Sequence, residues 1–365
     1  MLRVSVRKIK PGMVLGRAVF DVQGREVAQK GLKLDGESVS LLSRSGVSDI
    51  LIEDPRMADV PVGFLYPAAV EAQAVKSIHV LLALKQGMAE PIEASDLSPI
   101  QTAVHKMAES LFPVAMGEPD LSGLTSQNGY DYVHPAKVAG IAMLIARETG
   151  LDKEVVAQVG TAAMLMNLGY LAMPAGTFDL DDYNETMAPG SISDSHKEQI
   201  KKHPKEGVAI LLNSGLDAEV VRGIREHHER WNGSGYPDGR KGDEVSIIAQ
   251  IVAMADTYHS LVSTRPDRRA FKPHEAVEFI VAFSGELYSP ELAQVFTRRI
   301  PQYPAGVGVI LNTGEVAIVS NPNIGHIARP IVRICTKDGR PLKKPYDRDL
   351  SLAEHMRILI TEVLL

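Results

Sequence analysis

At 365 residues, 45% of them hydrophobic, the chain has enough apolar side chains for two or three domains with buried cores and is not a disordered polypeptide. A formal net charge of −6 argues against nucleic acid as a main partner, since backbone phosphates demand a basic face. It leaves room for a nucleotide ligand, which needs only a few local cations. Cys335 is the only cysteine, which excludes a disulfide framework within the chain and points to a reducing, cytoplasmic setting.

Residues 1–62 read as a small α+β unit. The N-terminal stretch MLRVSVRKIKPGM lacks an apolar signal core. Asp21-Val-Gln-Gly24 lies between apolar runs as a hairpin turn would, residues 37–46 have helical spacing ending in glycine, and residues 48–53 alternate like a short strand. Residues 63–125 turn helical, with apolar positions three and four apart from Ala68 to Ala89 and a helix start expected at Ser95–Pro99. His79 and His105 lie alone on these helices and are read as packing or surface residues.

From about Gln127 the chain becomes a run of amphipathic helices. His134 opens one that ends at Gly150, and Asp152 caps the next. The run from Val155 to Met173 is apolar enough to suggest a membrane span. It carries Gln158, Asn167 and two glycines before Pro174, so the expectation is a buried core helix and no membrane. A long acidic connection from Phe178 to Ser195 reads as an insertion or lid. A single helix is expected from His196 to Asn213, and others over 217–229 and 245–262, the last holding Asp256. From Pro301 the pattern becomes short β runs with turns at Asn312–Gly314 and Lys337–Gly339, then a final helix from about Ser351 to Leu364. The expected fold is therefore mainly α: a helical bundle over 126–300, a small N-terminal α+β unit, and a small β and helix extension over 301–365.

The chemistry concentrates in Arg225–Gly239, REHHERWNGSGYPDG, which holds two adjacent histidines, a carboxylate and a glycine-rich loop. His134, His203, His227, His228 and Asp256 sit on separate predicted helices or helix ends, apart from the adjacent pair. A helical bundle can point such groups into one core site, and imidazole with carboxylate suits Fe, Mn, Zn or Ni. In the loop, the glycines, Gly235 among them, permit conformations that present backbone N–H groups to an anion, Tyr236 offers a hydroxyl and a face for base stacking, and Pro237 stiffens the turn. Any one of these histidines alone reads as a satisfied core residue, and the loop alone as a surface turn.

Together these residues resemble the HD-GYP family, a branch of the HD superfamily that hydrolyses the bacterial messenger cyclic di-GMP. The resemblance runs from about Gln127 to Gly339. It takes in His134, His203-Pro204, His227-His228-Glu229, Gly235-Tyr236-Pro237, Ala255-Asp256, Arg265-Pro266 and the tail phrases Tyr303–Gly306 and Arg329-Pro330. It implies an HD-type helical bundle, metal ligands at the five His and Asp positions, and ligand contacts at Gly235, Tyr236, Pro237, Arg265 and Arg268. The stretch Ile9–Met13 resembles modules that precede such domains.

The chain departs from the family where the family's active members carry a His-Asp pair and a lysine. Met166, Asn167 and Tyr170 stand there, and Tyr130 stands where some members place a glutamate for a third metal. Two divalent cations about 4 Å apart repel by roughly 16 kcal/mol at an effective dielectric near 20. A bridging carboxylate offsets that and helps generate the attacking hydroxide. A neutral Asn167 and a soft Met166 thioether do neither. The expectation is therefore a degenerate, cytoplasmic signalling protein with no confident catalytic residue, holding one divalent metal or none. It binds cyclic di-GMP or a partner such as a GGDEF-domain protein, and a homodimer stays open. The alternatives are a weak metal-dependent cyclic di-GMP phosphodiesterase with a rearranged site, and a purely structural interaction module.

Overall fold

The computed structural model describes residues 1–44, 47, 49–60, 63–85, 91–113, 130–173, 194–263 and 270–364. The expected acidic lid, Arg265 and Arg268 lie outside the described residues.

The N-terminal unit pairs β1 (Leu2–Ser5), β5 (Asp49–Glu53) and β2 (Val14–Leu15) in one antiparallel sheet, in the order β1-β5-β2, with Leu2 opposite Ile52 and Val14 opposite Glu53. The expected hairpin is present as β3 (Val19–Phe20) and β4 (Glu26–Ala28). Its turn is closed by the Asp21 carboxylate, which accepts from the N–H groups of Gln23 and Arg25 at 2.9 Å each, and Gly24 supplies the left-handed residue at φ 73°. Helix α1 (Gly36–Arg44) starts where Asp35 accepts from Ser38 N at 2.8 Å. Leu15, Leu34, Leu42 and Ile50 form this unit's own core.

Two helices follow, α2 (Ala68–Lys85) and α3 (Ala94–Leu111). The helix start expected at Ser95–Pro99 lies inside α3, because Glu93 and Asp96 cap its end reciprocally one residue earlier. Ile78, Leu97, Ile100 and Val104 of this pair join one continuous core with α4 (Tyr130–Glu148), α5 (Lys153–Leu165) and α9 (Ile247–Val262). The apolar stretch Lys153–Ala172 is long enough to cross a membrane by length and hydropathy, yet most of it lies in that core. Around it pack α6 (Asp194–Ile200), α7 (His203–Ile210), α8 (Ala218–Glu226), α10 (Pro273–Ala282) and α11 (Pro290–Arg299).

The single helix expected over 196–213 is two. Pro204 has no N–H to bond the Ile200 carbonyl and its ring crowds it, so α6 ends at Ile200 and α7 restarts with the proline in its first turn. The C-terminal unit is a five-stranded antiparallel sheet of β6 (Gly308–Leu311), β7 (Val316–Asn321), β8 (Ile331–Lys337), β9 (Arg340–Asp349) and β10 (Ile360–Leu364), in the order β10-β6-β7-β8-β9. The final helix expected over 351–364 is absent. A short 3-10 turn at Ala353–His355 leads into β10, which pairs with β6. The open edge of β6 offers ladder partners that β-branched Ile360, Thr361 and Val363 fit better than a helix.

The N-terminal unit is tied to both neighbours. Arg3 N donates to Gly306 O at 3.0 Å, and Met57 packs with Ile318 and Cys335 of the C-terminal sheet. On the helical side, Glu71 of α2 is shared by Arg17 and by Lys137, which lies on α4 three residues beyond His134.

Candidate metal and ligand site

Helix ends deliver the histidines. His203 is the first residue of α7, and its Nδ1 lies 2.8 Å from Ile200 O, at the end of α6. His227 follows the last residue of α8, and its Nδ1 lies 2.7 Å from Ile224 O. A carbonyl only accepts, so both Nδ1 atoms carry the proton and both Nε2 atoms present bare lone pairs. Those two Nε2 atoms face each other at 3.2 Å, and both residues are fully buried.

Two lone pairs at that distance suit a cation between or beside them. A shared proton is disfavoured. Burial holds His203 well below the usual imidazole range, and the neighbouring His228 and His227 push it the same way. His228, also buried, brings a third nitrogen, so that one ligand atom from each of His203, His227 and His228 lies within 4.8 Å of the others. Three convergent imidazole nitrogens, two of them oriented by backbone carbonyls, fit a borderline divalent cation.

The GYP loop folds back on these residues. Tyr236 N donates to His228 O at 3.2 Å, and the Tyr236 ring stacks on the His228 imidazole with centroids 4.7 Å apart. The Tyr236–Pro237 bond is cis. Gly235 is needed for the close approach: a Cβ there would overlap the backbone of residues 228–230. The loop presents backbone N–H groups to an anion at Asp238, Gly239 and Arg240, and that anion is internal. Glu229, buried, accepts from Asp238 N at 2.7 Å and from Gly239 N and Arg240 N at 3.1 Å each. The carboxylate of the His-His-Glu phrase is a brace for the loop.

The segment with the altered family positions lies against the same histidines. A 3-10 turn over Leu168–Ala172 follows α5, and a Cβ on Gly169 would overlap the His203 carbonyl. Tyr170 stacks on the His203 ring at 4.4 Å and 20°. Met166 is fully buried and belongs to the main hydrophobic core, while Asn167 is half-buried at the bend.

The remaining two expected ligands form a separate group. His134, one turn into α4, places Nε2 2.9 Å from Asp256 Oδ1 on α9. Burial pushes Asp256 up, but the His134 hydrogen bond and charge outweigh it and hold the carboxyl well below its usual range, with further help from His228 and His227. His134 Nδ1 lies 2.9 Å from His259 Nδ1 and 2.9 Å from the Tyr130 hydroxyl, whose ring stacks on the imidazole at 17°. Tyr130 also reaches Ser260 Oγ at 3.4 Å. His259 is a site residue that the sequence reading missed, although its spacing of three from Asp256 on a predicted helix puts both on one face.

Residues 114–292 match the HD domain family. A cyclic di-GMP phosphodiesterase of Pseudomonas aeruginosa is 27% identical over 212 residues, covering 58% of this chain and 49% of that protein. A cyclic di-GMP phosphodiesterase of Thermotoga maritima is 34% identical over 170 residues, covering 45% of this chain and 43% of that one. The chain thus spans about half the length of the curated relatives it matches. A solved HDGYP protein from Bdellovibrio bacteriovorus, 16% identical, overlaps 81% of this chain and 97% of its own with a TM-score of 0.49.

Proposed function

Because this chain belongs to the HD-GYP family, we propose that it binds cyclic di-GMP or a close relative beside a single metal and does not turn it over at enzymatic rates. The observation that carries this is the pair of bare Nε2 atoms of His203 and His227, 3.2 Å apart. They suit a cation, while Met166 at the altered family position is part of the apolar core. His203, His227 and His228 would hold the ion, which supplies Lewis-acid polarisation of a phosphate oxygen when bound.

The chain's own groups then account for recognition. Tyr236, fixed on His228, gives a phenol and an aromatic face at the edge of the site. Arg265 and Arg268, the sequence candidates for phosphate contact, follow directly on α9, which carries Asp256. Guanidinium groups suit bidentate phosphate contacts. Tyr170, over His203, offers a ring where the family resemblance implies a lysine, so one cationic phosphate contact is replaced by an aromatic surface. No group among Met166, Asn167 and Tyr170 supplies the bridging carboxylate that a two-metal hydrolysis needs.

Metal analysis of purified protein with calorimetry of cyclic di-GMP binding tests this. One equivalent of metal with binding and without turnover is expected. Turnover at rates typical of a dedicated phosphodiesterase would establish the weak-enzyme alternative and end this reading. Absence of nucleotide binding with and without metal would leave a protein partner, such as a GGDEF domain, as the occupant of the GYP surface.

A further inference from the structure

A cavity opens where the N-terminal unit meets the helical bundle. Its volume is 70 Å³, space for about five waters or for a small organic molecule that reaches into solvent. Ile50 of β5, Ala72 of α2 and Val133 of α4 belong to its apolar lining. Four charged side chains share the wall: Arg17, Asp49, Glu71 and Lys137. Arg17 lies 3.5 Å from one oxygen of Glu71, with its guanidinium 3.8 Å over the Phe64 ring, and Lys137 pairs with the other oxygen. Asp49 pairs with Arg3 at 3.1 Å. None of these side chains is more than 19% exposed.

Joining two units does not need such a cluster. Mostly buried ions give up hydration that pairing only partly returns, and apolar residues of the same volume would hold the junction at least as well. Pockets that bind small molecules favour domain junctions and combine an apolar lining with a few convergent polar groups. We propose that this cavity binds a small zwitterion with an apolar body, an amino acid being the simplest case, and that its occupancy is felt at His134. The ligand carboxylate meets Arg17 and Lys137, which Glu71 holds on one side. The ammonium meets Asp49 on β5, and the side chain meets the apolar lining. A molecule held in this way clips the N-terminal unit, α2 and α4 together.

The link to His134 is one turn of helix. Val133 and Lys137, four residues apart, share the face of α4 that lines the cavity. His134 lies between them in sequence and reaches Asp256 of α9 at 2.9 Å. The same turn of α4 therefore borders the cavity and carries an expected ligand of the candidate site.

Calorimetry of the full chain with three probes tests the binding half. They are L-leucine, isocaproate, which lacks the ammonium, and isoamylamine, which lacks the carboxylate. Leucine should bind, and each of the others about 10-fold or more weakly, the size of one lost charge-assisted contact. Lys137→Met should remove the preference for leucine over isoamylamine, and Ala72→Leu, which fills the lining, should abolish binding. No leucine binding at millimolar concentration, or equal binding of the three probes to wild-type protein, would overturn the proposal, and this comparison decides the matter even where a variant fails to fold. Saturating leucine should also shift the affinity for cyclic di-GMP, and the nucleotide should shift the affinity for leucine by the same factor. An unchanged nucleotide affinity would overturn the link to His134. That arm rests on the nucleotide binding proposed above. Protein that binds leucine and no nucleotide would end the earlier reading and leave the cavity's ligand standing.

Discussion

Two pairs of imidazoles meet in this domain at almost the same distance, His203 with His227 at 3.2 Å and His134 with His259 at 2.9 Å. Their surroundings make them opposites. In the first pair both rings give their Nδ1 protons to backbone carbonyls, so acceptor faces acceptor. In the second, the rings are held by side chains instead, His134 by Asp256 at 2.9 Å and His259 by Ser263 at 3.3 Å. Proximity of histidines alone says little about metal binding. The partner of the far nitrogen decides what each ring presents to the other.

The sharpest way to break the contrast is to disturb the backbone that holds the first pair. Gly169→Ala puts a methyl group into the His203 carbonyl, with no flexible side chain to yield. We expect a loss of several kcal/mol, about 4, from forced backbone movement, seen as a large drop in urea midpoint together with loss of metal. A well-folded Gly169→Ala protein with full metal content would show that the close approach is not required.

Next in size is the brace under the GYP loop. Glu229→Ala removes one buried carboxylate from three N–H donors of a part-buried loop. A cost of about 3 kcal/mol is expected, since hydrogen bonds to charged groups are worth about 1.5–3 kcal/mol each and water can replace part of them. Calorimetry should also show weakened cyclic dinucleotide binding, because Tyr236 loses its seat on His228. Unchanged stability and binding would assign the loop's shape to its glycines and proline alone.

His227→Ala and His259→Ala then separate the two pairs directly. The first should abolish metal binding. The second should leave the metal count at one and cost roughly 1–2 kcal/mol of stability for a lost buried hydrogen bond. Equal effects of the two variants on metal content would erase the distinction between the pairs.

The smallest effect lies away from the site. The Arg348 hydrogen bond lowers the Glu315 carboxyl, against the burial that raises it. A depressed carboxylate stabilises the fold above its unfolded pKa, about 4.3, and loses that contribution as pH falls through the folded value. Glu315→Gln should therefore be less stable than wild type by about 1 kcal/mol near neutral pH, with the gap closing in acid. A gap that persists at pH 3 would assign the effect to packing.

The sequence revealed one half of this contrast and hid the other. His203, His227 and His228 were legible because adjacency, a following proline or a glycine-rich loop marks each of them beyond ordinary helical patterning. His259 sits in the unbroken apolar run of α9 and looks like any core histidine. Its role depends on α4 crossing α9 with His134 opposite, a contact 125 residues apart in the chain. Glu229 was visible as a carboxylate, yet which amides it would meet depends on how the loop turns. Two errors have similar causes. Lys201-Lys202 breaks a helix whose apolar period continues across it, and residues 360–364 become a strand because β6 offers an edge. Local spacing carries no information about that edge.

The Glu229 brace has one further consequence, for how an incoming ligand is held. A loop whose three amides are already filled by its own carboxylate cannot cradle a ligand phosphate with its backbone. Attraction must then come from the metal and from side-chain cations, and the cation part is a long-range interaction easily masked by dissolved ions. With a screening length near 10 Å at 0.1 M salt, binding should weaken steeply as ionic strength rises. A loop with open amides would hold its ligand by short contacts and be comparatively indifferent to salt.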